Sequence, residues 1–362
     1  MIRILHVVTY MGRGGLENMI MNYYRKIDRS KIQFDFLVHR DFQADFDSEI
    51  INLGGNIYHM PVLNPFSKSY FAALEEFFST HHYDIVHSHL DCMSAYPLKI
   101  AKKYNVPVRI AHSHNKNQDK DLKYPIKIWS KKKISKYATH LFACGQEAGK
   151  WMFDGAKFKI LNNAIDAEKY KYNNEIRNEV RKELTLSESD FIVGHVGRFN
   201  PQKNHEFIIE IFNLLSKKNS HTKLILVGTG DGEETIKSKV KQYGLDEKVL
   251  FLGNRCDVNR VLQAMDVFLF PSIYEGLPLS IVEAQASGLP CVISDNVPIE
   301  CKVTDLVEVM KLNDDLEKWV QLLISKENQP RTNTLKDIQT SGFDVTENVA
   351  QLESFYINAL GK

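Results

Sequence analysis

The sequence predicts an α/β protein built from two doubly wound, parallel-sheet domains. Three observations carry this. Short β-branched and aromatic runs recur along the chain, and helix-length segments of mixed polarity separate them. The runs are nearly continuous in apolar residues rather than alternating, as strands of a parallel sheet covered on both faces are. The chemically notable residues fall at the carboxyl ends of the runs, where open parallel sheets bind ligands.

The first series of runs is IRILHVVTY, FDFLV, NIYHMPV, DIVHSH, VRIAHSH and HLFACG, and the second is FIVGHVGR, KLILVG, VLFLG, VFLFP and PCVIS. A chain of 362 residues holds about two domains, and each series supplies one sheet. Residues 1–165 are read as the first domain and 166–344 as the second. NAIDAEKYKYNNEIRNEV, at the boundary, is poor in apolar positions and reads as the connecting segment. Near the C-terminus Val349, Leu352, Phe355, Tyr356 and Leu360 recur at helical spacing. That helix can pack on either domain, and residues 345–362 are assigned to the first. The two sheets are expected to face a central cleft, with strand-end loops on each wall.

Hydrophobic content of 43% and charged content of 25% are ordinary for a soluble globular protein. A net charge of +1 gives no general case for nucleic acid, which is excluded as a partner. The five cysteines are scattered and form no CxxC pair. They read as reduced thiols in the cytosol, with neither a disulfide framework nor a cysteine zinc site. No apolar run reaches the roughly 20 residues needed to cross a bilayer. MIRILHVVTY reads as a strand rather than a secretion signal, because polar residues interrupt it. A cytoplasmic protein is expected.

Four constellations follow. In TYMGRGGLENMI, Gly12, Gly14 and Gly15 follow the first strand and open a helix, so the stretch is either a plain tight turn or a backbone cradle for a phosphate or sugar. In GHVGRFNPQKNHEFIIEIF, Arg198 and Lys203 flank Pro201 at the end of the second domain's first strand. A planar guanidinium and a point-charge ammonium on one short loop suit a diphosphate. DIVHSHLD and RIAHSHN each put two histidines on one face of a strand end. Either pair could chelate a metal, but no HExxH accompanies them. A hydrogen bond from one ring to substrate, with structural roles for the others, is the alternative. Residues 116–137 are basic, with Tyr124, Ile126, Ile128, Trp129 and Ile134 interleaved. They read as a contact for an anionic membrane or an acidic ligand, or as a surface helix that buries its Ile and Trp.

The fullest motif is IYEGLPLSIVEAQASGLP, with Glu275 and Glu283 around Gly276 and Pro278. Pro278 starts a helix, because Leu277 before it is held extended, and Gly288 ends it. Glu275 therefore sits in the loop and Glu283 early on the helix. The free N–H groups and positive dipole end between them suit a phosphate.

These residues resemble the retaining glycosyltransferases of the GT-B fold, GT4 type, over nearly the whole chain and most densely from Phe191 to Ser294. IYEGLPLSIVEAQASGLP is similar to their E-x7-E element, VGRFNPQKN to their Arg/Lys loop, GGLE to their N-terminal glycine loop and ILNNAID to their interdomain motif. LVGTGDG, FLG and DVFLFPS follow in the family's order. The members most resembled are bacterial ones that build exopolysaccharide or capsule. The resemblance implies that Arg198 and Lys203 hold the donor diphosphate and steady the leaving group. It implies that Glu283 accepts from the ribose hydroxyls, and that Glu275 meets the transferred sugar beside the backbone of Gly276, Leu277, Pro278 and Leu279. Gly253 and Asn254 lie beside the base, Gly14 and Gly15 near the diphosphate or acceptor, and His112 or His114 toward the sugar. Protein cations replace a metal, so no cofactor and no metal site is implied. Two departures stand out: Ala164 replaces a usual glycine, and NVPIECKV replaces a usual glycine pair.

The expectation is transfer of a sugar from a nucleotide sugar, UDP-linked, to a growing glycan or polyprenyl-linked acceptor at the inner membrane face. A UDP-sugar epimerase and a non-catalytic nucleotide-sugar binder are the alternatives.

Overall fold

The computed structural model describes residues 1–115 and 124–361. The chain divides into two compact units, one of residues Met1–Ala164 with Val345–Lys362 and one of Ile165–Asp344.

In the first unit the strands are β1 (Ile2–Val8), β2 (Ile32–Val38), β3 (Ile57–His59), β4 (Ile85–Ser88), β5 (Val108–Ser113), β6 (His140–Ala143) and β7 (Lys159–Ile160). Among the described residues they form one sheet in the order β3-β2-β1-β4-β5-β6-β7, with parallel neighbours throughout. The order reverses at β1, which pairs with both β2 and β4, and such a switch point opens a crevice at the strand ends. One face of the sheet packs Leu5, Val7, Val86 and Ala111 against Leu74, Phe78 and Leu98. The helix Val345–Asn358 belongs to this unit. It is held where Tyr356 hydrogen-bonds the His87 ring at 2.7 Å and where Glu353 accepts the backbone N–H of Asp28 at 2.6 Å.

The second unit holds β8 (Phe191–Val196), β9 (Thr222–Val227), β10 (Val249–Phe251), β11 (Val267–Phe270), β12 (Cys291–Ser294) and β13 (Val307–Met310). Their order is β10-β9-β8-β11-β12-β13, again parallel and again reversing at the first strand. Strands β8, β9, β11 and β12 are apolar on both faces because helices cover both, giving two core clusters, one around Phe212 and Trp319 and one around Phe268 and Ile281.

The segment read as a connector is instead part of the second unit. It carries the helices Ala167–Tyr170 and Asn174–Glu183, and Ile165 bridges Asp344. Arg177 and Arg181 both reach Asp266, at 2.6 and 2.7 Å. The few apolar positions are explained by this anchoring through charge, with Arg181 2% exposed. Strands β7 and β13 lie at sheet edges and correspond to no apolar run, since an edge strand has one neighbour and is partly wet.

Candidate active site

The second unit assembles a group of polar side chains on loops that follow β8 and β11, which are neighbours in the sheet. After β8 the chain turns through Arg198 and a short 3-10 turn, Pro201–Lys203, capped by the Asn200 side chain on the Lys203 N–H at 3.1 Å. Asn204 takes the left-handed conformation, φ 58°, and starts the helix His205–Lys218. Its side chain donates to the Pro271 carbonyl at 3.1 Å, tying this loop to the one after β11.

That tie brings Lys203 to Glu275. The Lys203 ammonium donates to Glu275 Oε1 at 2.7 Å and lies 4.5 Å from the centre of the Phe270 ring. Gln202 donates to Glu275 Oε2 at 3.2 Å and to the Tyr274 carbonyl at 3.0 Å. Glu275 is 5% exposed, so its charge is matched by a cation and an amide rather than by water. Arg198 is exposed, and among the described residues its guanidinium has no hydrogen-bond or ion-pair partner. It is a solvated cation beside a paired one.

The loop carrying Arg198 rests on another through backbone alone. Gly228 has φ +136°, and a Cβ there would meet the Gly197 carbonyl oxygen at 2.1 Å; one at Gly230 would meet the Phe199 oxygen at 2.4 Å. Only glycine allows this approach. The Gly253 carbonyl, just past β10, accepts the Gly228 N–H at 2.8 Å, and Asn254 beside it is exposed.

Pro278 is the N-cap of the helix Leu279–Ala286, with ψ 110°, and its carbonyl accepts from Ile281 at 3.3 Å, while the N–H groups of Leu279 and Ser280 lack helical partners. Gly276 and Leu277 form the approach to it. Glu283 lies beyond the first turn, where it does little for the dipole. Tyr170 donates to its carboxylate at 2.9 Å, and burial pushes Glu283 up to about 7 while that hydrogen bond offsets part of the rise. Tyr170, Gln202, His195 and His205 were not singled out from sequence. His195 Nδ1 donates to the Leu269 carbonyl, 2.9 Å away, and burial lowers both rings, His205 to about 4. His205 stacks on Phe199 with centroids 4.1 Å apart. Their common signal is position: each sits beside the Arg198–Lys203 loop or on the supposed connector.

In the first unit Gly14 caps the helix Gly15–Lys26, which follows β1. Neither Gly14 nor Gly15 has positive φ. A Cβ at Gly14 would meet only the flexible Glu17 carboxylate, and one at Gly15 would meet nothing within 4 Å. The fold itself does not require Gly15. His112 and His114 are not isolated: they join His6, His87 and His89 on one face of the sheet, at the ends of β1, β4 and β5. Hydrogen bonds link His6 Nδ1 to His89 Nε2 (2.9 Å), His89 Nδ1 to His114 Nε2 (3.0 Å) and His87 Nε2 to His112 Nδ1 (3.2 Å). Burial lowers all five well below an ordinary histidine, so the rings are neutral at pH 7.

In residues 116–137 the stretch 116–123 lies outside the described residues. The helix Tyr124–Lys131 leaves Trp129 53% exposed, with the Lys133 ammonium 2.8 Å from its ring centre, while Ile134 is buried. The Trp is therefore not the core residue that a plain surface helix would make it.

A family model described as "Glycosyltransferase Family 4" matches residues 13–169, and one described as "Glycosyl transferases group 1" matches 176–334. A Bacillus subtilis protein named "Putative glycosyltransferase EpsF" is 33% identical over 98% of this chain and 96% of its own length. The chain belongs to the family 4 glycosyltransferases. It is thus a glycosyltransferase enzyme, and the resemblance read from VGRFNPQKN and the E-x7-E element is to the right family. Another relative is an Escherichia coli UDP-Gal:alpha-D-GlcNAc-diphosphoundecaprenol alpha-1,3-galactosyltransferase. It is 27% identical over 76% of each chain. The crystal structure of Anabaena HepE in complex with UDP and glucose superposes with a TM-score of 0.81 at 17% identity, over 98% of this chain and 99% of that one. That likeness establishes the GT-B fold for the family 4 enzyme described here. No helix among the described residues is long and apolar enough to cross a membrane.

Proposed function

We propose that this glycosyltransferase moves a sugar, with retention of configuration, from a UDP-sugar to a growing glycan carried on a polyprenyl diphosphate, in exopolysaccharide or capsule synthesis. The observation that carries the reading is the unpaired Arg198 guanidinium beside the Lys203–Glu275 pair on strand-end loops. Arg198, Lys203 and the free N–H groups of Leu279 and Ser280 supply charge where a diphosphate leaves, so transfer needs no metal or other cofactor. Glu283, held by Tyr170, accepts from the ribose hydroxyls, with Gly253 and Asn254 beside the base. Glu275 and the backbone from Gly276 to Leu279 meet the sugar. The first unit contributes the acceptor side, with Gly14 and Gly15 open to an anion and His112 or His114 as hydrogen-bond partner to a hydroxyl. The relative named for a UDP-galactose donor and a diphosphoundecaprenol acceptor supports both substrate classes. Exposed Trp129 and its lysines support a peripheral contact with anionic lipid; preferential sedimentation with anionic over neutral liposomes checks it.

The test is turnover of a nucleotide-sugar panel with lipid extract as acceptor, followed by mass spectrometry with and without chelator. Arg198→Ala should lower kcat by ~10²–10³-fold, the scale of one lost oxyanion donor, with donor KM changed far less. A sugar nucleotide interconverted without acceptor, or unaltered kinetics in the variant, refutes the reading.

A further inference from the structure

We propose that His89, His112 and His114 form a binding site for one divalent transition-metal ion of the zinc or cobalt class. A ring nitrogen of each lies within 4.8 Å of the others. The 3.0 Å separation of His89 Nδ1 and His114 Nε2 is close to the ~3.3 Å between ligands of a tetrahedral ion with 2.0–2.1 Å bonds. An ion can replace that hydrogen bond with a shift of tenths of an ångström.

One ligating nitrogen of the trio, His112 Nε2, is buried without any partner. Orphaned buried polar atoms are rare and call for a ligand. The outer contacts are those that metal-binding histidines use, where the second ring nitrogen is fixed by a neighbour. His6 Nδ1 holds His89 Nε2, leaving His89 Nδ1 facing the trio, and His87 Nε2 holds His112 Nδ1, leaving Nε2. Tyr356 in turn fixes His87 Nδ1 at 2.7 Å. The trio contains imidazoles and no carboxylate, which selects zinc, cobalt, nickel or copper over magnesium, calcium or manganese. A second trio, His6, His87 and His89, is wholly buried, whereas His114 is only partly covered and gives the chosen site a path for entry. The donor phosphates are served by Arg198 and Lys203, and His114 Nδ1, left free when Nε2 holds the ion, keeps the hydroxyl contact proposed above, so the ion has no step in transfer.

Full-length protein stripped with chelator and dialysed against Zn²⁺ or Co²⁺ should retain one ion per chain by elemental analysis. The cobalt form should show the visible band of tetrahedral nitrogen ligation, and Mg²⁺ should not be retained. His114→Gln, at the least buried position, should weaken binding by more than ~100-fold, beyond the 10–100-fold typical of outer-sphere changes, with an unchanged circular dichroism spectrum. Nitrogen NMR of the wild-type rings supplies a readout free of any folding defect: Zn²⁺ should shift three imidazoles, and His195 and His205 should not move. No retained ion, equal retention of Mg²⁺, or unweakened binding in His114→Gln overturns the site and leaves a plain hydrogen-bonded row of rings. None of these readouts needs turnover, so the site stands or falls apart from the transferase assignment.

Discussion

At the scale of single residues, the Lys203–Glu275 pair sets the state of the site before any donor arrives. The lysine read as a phosphate ligand is engaged with the carboxylate read as a sugar ligand. Removing one partner leaves a buried charge uncompensated, so Lys203→Ala should destabilise the protein by about 3 kcal/mol in urea melts. Adding Glu275→Gln should recover much of that loss, and a double-mutant cycle showing no coupling would contradict the pairing. Glu283 makes a pH prediction. Its folded value, about 7, lies above the ordinary 4.5. A carboxyl raised by burial favours the protonated folded state. The penalty is absent below about 4.5, grows as pH rises to about 7, and is constant above. Glu283→Gln should therefore be the more stable protein at pH 8, by about 3 kcal/mol. Donor affinity of the wild type should rise with pH through neutrality, as the carboxylate becomes an acceptor for ribose, and Glu283→Gln should lose that rise. Equilibrium dialysis of UDP against pH reads both.

At the scale of elements, the site depends on two loops meeting without side chains between them. Gly228→Ala would put a methyl against the Gly197 carbonyl at a positive φ, so it should lower the melting temperature and displace Arg198, reducing kcat. Gly15→Ala is the opposite case. A methyl there meets nothing, and alanine suits a helix better by roughly 0.5–1 kcal/mol, so stability should hold or improve. If an anion sits on that helix end, substrate KM should nonetheless rise; unchanged kinetics would leave the glycine loop a plain turn. The elements also show what a sequence conceals. Central strands were legible because burial on both faces makes them apolar throughout. Edge strands β7 and β13 were not, and neither were the helices Ala167–Tyr170 and Asn174–Glu183, because arginine-to-carboxylate anchoring hides an element from a search for apolar spacing.

At the scale of the molecule, the first unit is discontinuous in sequence and the second is not. Residues 165–344 expressed alone should unfold cooperatively in urea. Residues 1–164 alone should not, since they lack the helix that places Tyr356 and Leu352 in the core. Cooperative unfolding of 1–164 would show that helix to be an accessory. The two sheets and the loops that carry Arg198, Lys203 and the Glu275–Glu283 element were determined by the sequence itself. Strand burial, proline and glycine act locally, and each leaves a mark within a few residues. The partners of those groups were decided only by the tertiary structure: Lys203 with Glu275, Tyr170 with Glu283, and five histidines from three strands in one row. Such contacts join residues that the chain holds far apart, and they exist only once parallel strands bring their carboxyl ends to the same edge.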